Sequence, residues 1–284
     1  MVASLYSVPP MELDYYQAKV LLEWQVELGV DEAIGEVPVN RYESPATVPA
    51  TVPGSAVRPE PVAQVQQRPS KPVAPPIAPA VPEVDPVSVA QHSAACARDL
   101  DGLRAALGAF PHCDLKLGAR NLVFCDGNPA ARVMVIGEAP GRDEDVQGKP
   151  FVGRAGQLLD RMFEAIAMGR GNPEPAHSIY ITNILPWRPP QNRDPEPQEM
   201  AMMLPFVTRH VELVNPDILI LMGNVSCQTL LGRKGITRLH GTWVETLGRP
   251  ALPMFHPAYL LRNPQAKREA WHDLLMLQAK LRTI

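Results

Sequence analysis

Residues 133–160, VMVIGEAPGRDEDVQGKPFVGRAGQLLD, contain a short apolar run, a long polar loop and the start of a helical segment. Residues 133–136 are apolar and rich in β-branched side chains, which predicts a buried strand, and the residues from 157 onward have helical spacing. A strand and a helix usually need only a few residues to join them. Here residues 137–153 separate the two, with four glycines and two prolines. A loop of this kind is typical of a binding or catalytic site.

The same alternation of strand and helix continues along the chain. Four apolar segments, at 132–136, 178–185, 217–223 and 251–256, are candidate strands, and helical segments separate them. One helix is also expected over residues 88–110. Strands that alternate with helices form parallel sheets covered on both faces. The sequence therefore predicts an α/β fold, a three-layer α/β/α sandwich with a mostly parallel four-stranded central sheet, in a domain of residues 91–284.

The region before this domain has a different composition. Thirteen of the 32 prolines lie between residues 38 and 86, among alanine, valine and glutamine. Such a segment can bury little surface, so residues 36–90 are expected to form a disordered linker. Residues 1–35 contain a segment of helical spacing that follows two prolines and stops at Gly29. We expect one amphipathic helix there, docked on its own domain or bound to a protein partner, with an apolar stripe of Leu13, Tyr16, Val20, Trp24 and Leu28.

Charge and cysteine content narrow the class of protein. Residues 1–90 carry 5 Lys and Arg against 11 Asp and Glu, a net charge of −6, so the whole-chain charge of −3 leaves +3 on residues 91–284. A mildly basic domain is compatible with a nucleic-acid partner. The sequence shows neither a membrane span nor a secretion signal, which predicts a cytoplasmic location. The four cysteines fit reduced thiols better than a disulfide framework.

Unusual residues gather where the predicted strands end. Residues 137–141, GEAPG, follow the first strand, Asn183 ends the second, and His256 ends the fourth. In open parallel sheets, ligands bind beyond these carboxyl ends. Taken singly, each residue has a structural explanation, such as a turn, a cap or a core histidine. Their joint placement predicts one cleft formed by three loops.

Four ordered motifs carry a resemblance to a known family. The segments GEAPGRDED, GKPFVGRAGQLLD, YITNILPWRPPQNRDPEP and FHPAYLLRNPQAKREAWHDLL, between residues 113 and 277, resemble the family 4 uracil-DNA glycosylases of the uracil-DNA glycosylase superfamily. Such repair enzymes flip a nucleotide out of the duplex. The resemblance implies hydrolysis of the N-glycosidic bond of uracil in DNA, which leaves an abasic site for base excision repair.

The resemblance also implies roles for individual residues. Phe151 matches the residue that stacks on the base, and Asn183 matches the one that reads the base edge, donating to O4 and accepting from N3–H. His256 is expected to donate toward uracil O2 as the base departs. The other residues expected to line the substrate pocket are Gly137, Ala139, Pro140 and Gly141.

The resemblance leaves the identity of the water-orienting carboxylate open. In family 1 enzymes an Asp stands two residues after the first glycine of the motif, where this chain has Ala139. Glu138 and Glu144 are the expected catalytic carboxylates, and either could orient the attacking water. Gly141 replaces the tyrosine that excludes the thymine methyl group in family 1. Removal of other bases, such as hypoxanthine, xanthine or mismatched thymine, is therefore an alternative function.

Contacts with DNA are expected from the loops that follow Asn183 and His256 and from one helix start. The leucines of HPAYLLR are candidate wedges for the base stack, and nearby arginines are candidates for phosphate contacts. The expected DNA-binding residues are Arg154, Arg188, Arg193, Leu260, Leu261 and Arg262. The expected partner is single- or double-stranded DNA, bound by a monomer. A DNA-binding module that has lost catalysis is a further alternative.

Most of the iron–sulfur ligands of the family are missing. Many family 4 enzymes hold a four-iron, four-sulfur cluster through four cysteines, and in this chain only Cys113 stands at one of those positions. Cys125 and Cys227 could substitute in principle, but neither lies at a family position. We therefore expect no cofactor, and a small apolar core where the cluster would lie. The residues at the other three positions cannot supply thiolates: Phe110, Trp187 and Met203.

Overall fold

A computed structural model of the chain describes residues 85–284. The predicted N-terminal helix, residues 1–35, and the linker up to residue 84 lie outside the described residues. Within the described part, no helix is both long and apolar enough to cross a bilayer.

The predicted sandwich and its parallel strands are confirmed, with a larger sheet than expected. Six strands lie in the order β1-β3-β2-β4-β6-β5, and the four central strands run parallel, as their apolar sequences indicated. The two edge strands are antiparallel. Their two and three residues were too short to recognise in the sequence. The strands are β1 Asp126–Gly127, β2 Val133–Gly137, β3 Ile179–Asn183, β4 Ile218–Met222, β5 Val244–Thr246 and β6 Arg249–Met254.

Ten α-helices accompany the sheet within residues 85–284. They are α1 Pro86–Cys96, α2 Leu100–Ala109, α3 Leu115–Gly118, α4 Arg142–Gln147, α5 Arg154–Glu164, α6 Pro197–Val214, α7 Asn224–Leu231, α8 Ile236–Leu239, α9 Pro257–Arg262 and α10 Lys267–Leu281. Helices α1 and α2 pack on α6, while α9 and α10 pack on α5. Helix α5 connects β2 to β3, and α6 connects β3 back across β2 to β4, so the two connections run in opposite directions along the sheet. Because such connections are right-handed, α5 with α9 and α10 covers one face, and α6 with α1 and α2 covers the other.

The first helical region differs from the expectation in two ways. The single helix predicted over 88–110 is two helices, because Asp99 begins α2 by accepting a hydrogen bond from the Gly102 amide at 2.7 Å. The helical structure also starts at Pro86, inside the segment assigned to the linker. Asp85 caps α1 by accepting from the amides of Val87 and Ser88, a strong start signal next to proline.

The carboxyl ends of the parallel strands lie at one edge of the sheet. Gly137, the last residue of β2, is in register with Asn183, the last residue of β3. On the other side of β2, β4 pairs with β6, which ends two residues before His256. The alignment brings the three polar strand ends together, as the sequence predicted.

Candidate active site

A cleft of about 540 Å³ opens beyond the carboxyl ends of β2, β3, β4 and β6. Most of the residues expected to bind substrate or to catalyse line this cleft. Gly137 does not line the cleft, because it lies against the ring of Phe151. The other expected residues that do not line the cleft are Arg154, Arg188, Leu260 and Leu261. The expected residues that do line the cleft are Glu138, Ala139, Pro140, Gly141, Glu144, Phe151, Asn183, Arg193, His256 and Arg262.

Phe151 is held in an unusual backbone conformation. Its φ angle is +53°, a left-handed value that is rare for a bulky residue and marks local strain. Its side chain is 6 % exposed, and its ring centroid lies 5.4 Å from that of His256. Two glycines make this position possible. A Cβ added to Gly137 would lie 2.5 Å from the Phe151 ring, and one added to Gly156 would lie 1.8 Å from the Phe151 carbonyl oxygen.

Arg170 supports the same loop from behind and was not identified in the sequence. Its guanidinium donates to the carbonyl oxygens of Pro150 and Phe151, each at 2.9 Å. The same group pairs with Asp126 and Asp160, at 3.1 and 2.8 Å. Charge-assisted bonds of this kind are stronger than neutral ones. Arg170 therefore fixes the backbone that carries the Phe151 ring.

Asn183 lines the cleft, and the oxygen of its side-chain amide is unpaired. The side chain is 5 % exposed, and its Oδ1 atom is buried without a hydrogen-bond partner among the described residues. A Cβ on Gly137 would lie 2.4 Å from this oxygen, so only glycine fits beside the amide. A buried acceptor left unpaired costs ~1–3 kcal/mol. The unpaired oxygen therefore marks the Asn183 amide as a candidate hydrogen-bonding group of the cleft.

The two expected catalytic glutamates have different surroundings. Glu144 accepts hydrogen bonds from three backbone amides, those of Gly141, Val152 and Gly153, at 2.9–3.1 Å. Its carboxylate thus joins the two ends of the long loop, and both oxygens are engaged. The sequence left open which glutamate orients the water, and these three bonds leave Glu144 fewer free acceptor sites than Glu138 for that role.

Glu138 is the one of the two expected catalytic glutamates that backbone amides leave available. It lines the cleft half-buried and makes no side-chain hydrogen bond within the described part of the chain. Burial raises the pKa of its carboxyl above the usual 4.5, and the negative charge of Asp194 raises it further, while Arg262 opposes the shift.

His256 faces the cleft as a neutral imidazole. Its Nδ1 atom accepts a hydrogen bond from the Ala258 amide at 3.2 Å, which leaves the ring proton on Nε2. Burial, assisted by the positive charge of Arg262, lowers the pKa of His256 to about 4. At neutral pH the side chain can therefore donate a hydrogen bond without carrying a charge.

Several expected DNA-binding residues are engaged inside the protein. Leu260 is only 1 % exposed and packs in the core, so it cannot serve as a wedge in this conformation, whereas Leu261 is partly exposed. The guanidinium of Arg193 makes two hydrogen bonds to Glu199, at 2.6 and 2.9 Å. Arg188 donates to Asn192 at 2.8 Å. Among the expected arginines, Arg154 and Arg262 are exposed.

The residues at the family's cluster positions do not fit an iron–sulfur cluster. Phe110, Trp187 and Met203 are buried apolar side chains, and Phe110 packs edge-on against Phe206 with centroids 5.4 Å apart. Cys113 is buried too, and burial raises the pKa of its thiol, which opposes the thiolate that a cluster requires. One thiol among three apolar side chains is not a ligand set for such a group.

Comparison with known proteins places this site in a family. The uracil-DNA glycosylase superfamily matches residues 124–275. A type-4 uracil-DNA glycosylase of Thermotoga maritima is 38 % identical over 154 residues, which cover 53 % of this chain and 77 % of the relative. The type-4 enzyme of Archaeoglobus fulgidus is 36 % identical over 183 residues, 61 % of this chain and 89 % of the relative. The chain belongs to the uracil-DNA glycosylase superfamily, among the type-4 enzymes.

Proposed function

We propose that this protein is a DNA repair enzyme that hydrolyses the N-glycosidic bond of uracil in DNA and leaves an abasic site. The type-4 relatives support this activity. The observation that carries the proposal is the buried, unpaired amide oxygen of Asn183, a residue that lines one cleft together with Phe151 and His256. A flat base with a donor on one edge and an acceptor on another suits these three groups.

Asn183 would distinguish uracil from cytosine. The N3–H group of uracil can donate to Oδ1, and the Asn183 amide can donate to O4. Cytosine has an acceptor at N3 and a donor at its amino group, so both contacts would be mismatched. Each mismatched buried group costs ~1–3 kcal/mol. Phe151 would stack on the base, and the neighbouring Ala139, Pro140 and Gly141 would complete the pocket.

His256 and Glu138 would stabilise opposite charges during bond cleavage. Negative charge develops on the departing uracil, where the neutral His256 donates from Nε2 toward O2. Positive charge develops on the sugar, by analogy with other glycosides. The carboxylate of Glu138 would stabilise that cation and orient the attacking water. Glu138 is preferred to Glu144 for this role because backbone amides already bond both oxygens of Glu144.

A broader range of bases is a second candidate function. Gly141 lines the cleft without a side chain, where family 1 enzymes have the tyrosine that excludes the thymine methyl group. Deaminated purines or mismatched thymine would therefore meet little steric obstruction. Oligonucleotides that carry hypoxanthine, xanthine or mismatched thymine separate this function from uracil removal alone.

We also propose the setting in which the enzyme works. DNA, in single- or double-stranded form, is the partner, and Arg154, Leu261 and Arg262 are the expected residues left exposed for it. The enzyme acts as a monomer in the cytoplasm. A protein partner for the N-terminal segment remains a proposal based on its sequence, since residues 1–35 lie outside the described part of the chain.

The first prediction concerns uracil release. The wild-type protein is expected to release uracil from an oligonucleotide, read as strand cleavage after alkali. His256→Ala should slow release roughly 10²–10³-fold because it removes the donor to the leaving base. Asn183→Ala should slow it about 10- to 100-fold, the loss expected for buried hydrogen bonds. His177→Ala and Asn172→Ala, outside the cleft, serve as matched controls.

Two outcomes would contradict the assignments tested in this way. If the wild-type protein binds the oligonucleotide and releases no base, the protein is a DNA-binding module. If Asn183→Ala releases uracil at the wild-type rate, the base edge is read elsewhere.

The second prediction concerns pH. Single-turnover rates measured from about pH 4 to about pH 8 should fall on the acid side as Glu138 becomes protonated, at a pH above its ordinary value of 4.5. Asp194→Asn should move this acid limb to lower pH, because the negative charge of Asp194 raises the pKa of Glu138. Glu138→Gln should be slow and lack the limb. If Glu138→Gln shows the same fall in rate at acid pH as the wild type, a group other than Glu138 causes that fall.

The third prediction concerns Arg170 as a positioning residue. Arg170→Lys removes the paired bonds to the Pro150 and Phe151 carbonyls, so inhibition by free uracil should weaken roughly tenfold as stacking becomes less favourable. Binding to DNA without uracil should stay unchanged. Arg132→Lys, which disturbs the Arg132–Asp217 ion pair outside the cleft, is the control. If free uracil inhibits Arg170→Lys and Arg132→Lys equally well, Arg170 does not position the Phe151 ring for stacking.

We further propose that the enzyme works without an iron–sulfur cluster. The apolar residues at the cluster positions and the buried thiol of Cys113 support this. The fourth prediction is that protein purified anaerobically contains less than one iron per four chains, well below the four irons per chain of a full cluster, and still releases uracil. Stoichiometric iron and acid-labile sulfide that are lost in Cys113→Ala would contradict it.

A further inference from the structure

A cationic segment next to the cleft has no role in the proposed chemistry. Between α7 and the end of α8, residues 232–238, GRKGITR, carry Arg233, Lys234 and Arg238, and all three side chains are exposed. None of them forms an ion pair or a side-chain hydrogen bond with another residue in the range 85–284. We refer to residues 232–238 as the basic loop.

The basic loop is anchored to the cleft. Oδ1 of Asn224 accepts hydrogen bonds from the amides of Gly235 and Ile236, at 3.1 and 2.9 Å. Asn224 and Ile236 both line the cleft, and Ile236 is buried. Gly235 has a φ of +104°, which strongly favours glycine. The three cations thus lie within a few residues of a side chain in the cleft wall, on a backbone with a fixed path.

The stretch of chain that contains the basic loop carries charge of one sign. Residues 218–244 contain no Asp or Glu, whereas solvated surfaces usually intersperse acids with bases. The loop after β3 carries Arg193, but Glu199 already neutralises it through two hydrogen bonds. The basic loop therefore supplies three unneutralised cations, whereas the loop after β3 has one of its two arginines neutralised.

We propose that the basic loop binds the phosphates of the DNA strand beside the flipped nucleotide. This rests on the proposed function, since it assumes that the cleft receives a base from DNA. Phosphates are the groups that exposed Lys and Arg recognise without regard to sequence, and such contacts fix the position of a protein on the strand. Asn224 has a positioning role, holding the three cations at the cleft edge.

The experiment measures the salt dependence of binding to DNA that contains no uracil. Fluorescein-labelled duplex and single-stranded oligonucleotides serve as probes, and anisotropy gives Kd over a range of NaCl concentrations. Replacing Arg233, Lys234 and Arg238 together by Ala should weaken binding at low salt. It should also reduce the slope of log K against log salt by about 2–3, roughly one for each lost phosphate contact. Arg98→Ala, an exposed cation just before α2, should keep the wild-type slope.

A charge-preserving variant separates charge from folding. Arg233→Lys combined with Arg238→Lys should retain the wild-type slope, since Lys also neutralises phosphate. Asn224→Ala keeps all three cations but loses the anchor, and should weaken binding. An alanine variant with the wild-type slope and affinity overturns the proposal. A loop-dependent slope in a protein that releases no uracil supports the basic loop and contradicts the glycosylase activity instead.

Discussion

The left-handed backbone at Phe151 organises the whole site. A bulky side chain adopts such a φ only where its surroundings enforce it. Here Glu144 bonds the amides just after Phe151, Arg170 bonds its carbonyl oxygen, and two glycines leave room for the ring and the backbone. The long loop of the first motif is therefore an ordered structure held by charged groups, and its purpose is to aim one aromatic ring into the cleft.

Burial shifts the pKa values of His256 and Glu138 in opposite directions. It disfavours the charged form of each, so it lowers the pKa of His256 and raises that of Glu138. A neutral imidazole is suited to donate toward an oxygen that is gaining negative charge. Burial disfavours the charge of the Glu138 carboxylate, so a cation that develops beside it would be stabilised strongly. In the proposed reaction, the same burial would serve both sides of the bond that breaks.

The DNA-facing surface differs from what motif matching suggests. Leu260 belongs to the apolar core, Arg193 is neutralised by Glu199, and the exposed cations include Arg154, Arg262 and those of the basic loop. Exposed ion pairs contribute little to stability, but an Arg held in two bonds to one carboxylate is no longer free for phosphate. Exposed positive charge is therefore distributed over several segments of the chain rather than confined to one motif.

Fold class and most of the cleft could be predicted from the sequence alone. Apolar runs such as residues 133–136 reveal buried parallel strands, and ligand-binding groups follow the ends of such strands, so Asn183 and His256 could be grouped from their positions in the chain. Phe151 could be added only through the resemblance of its motif to the family. The edge strands were missed because two or three residues are too few to show a periodic pattern. The break at Asp99 was missed because the apolar spacing continues across it, although the Asp99 side chain caps a new helix there. Contacts across the fold determine which glutamate is free, that Arg170 supports Phe151, and that Leu260 is buried. Those outcomes depend on which atoms meet in three dimensions, and hydrogen bonds between residues distant in sequence leave no pattern in the chain itself.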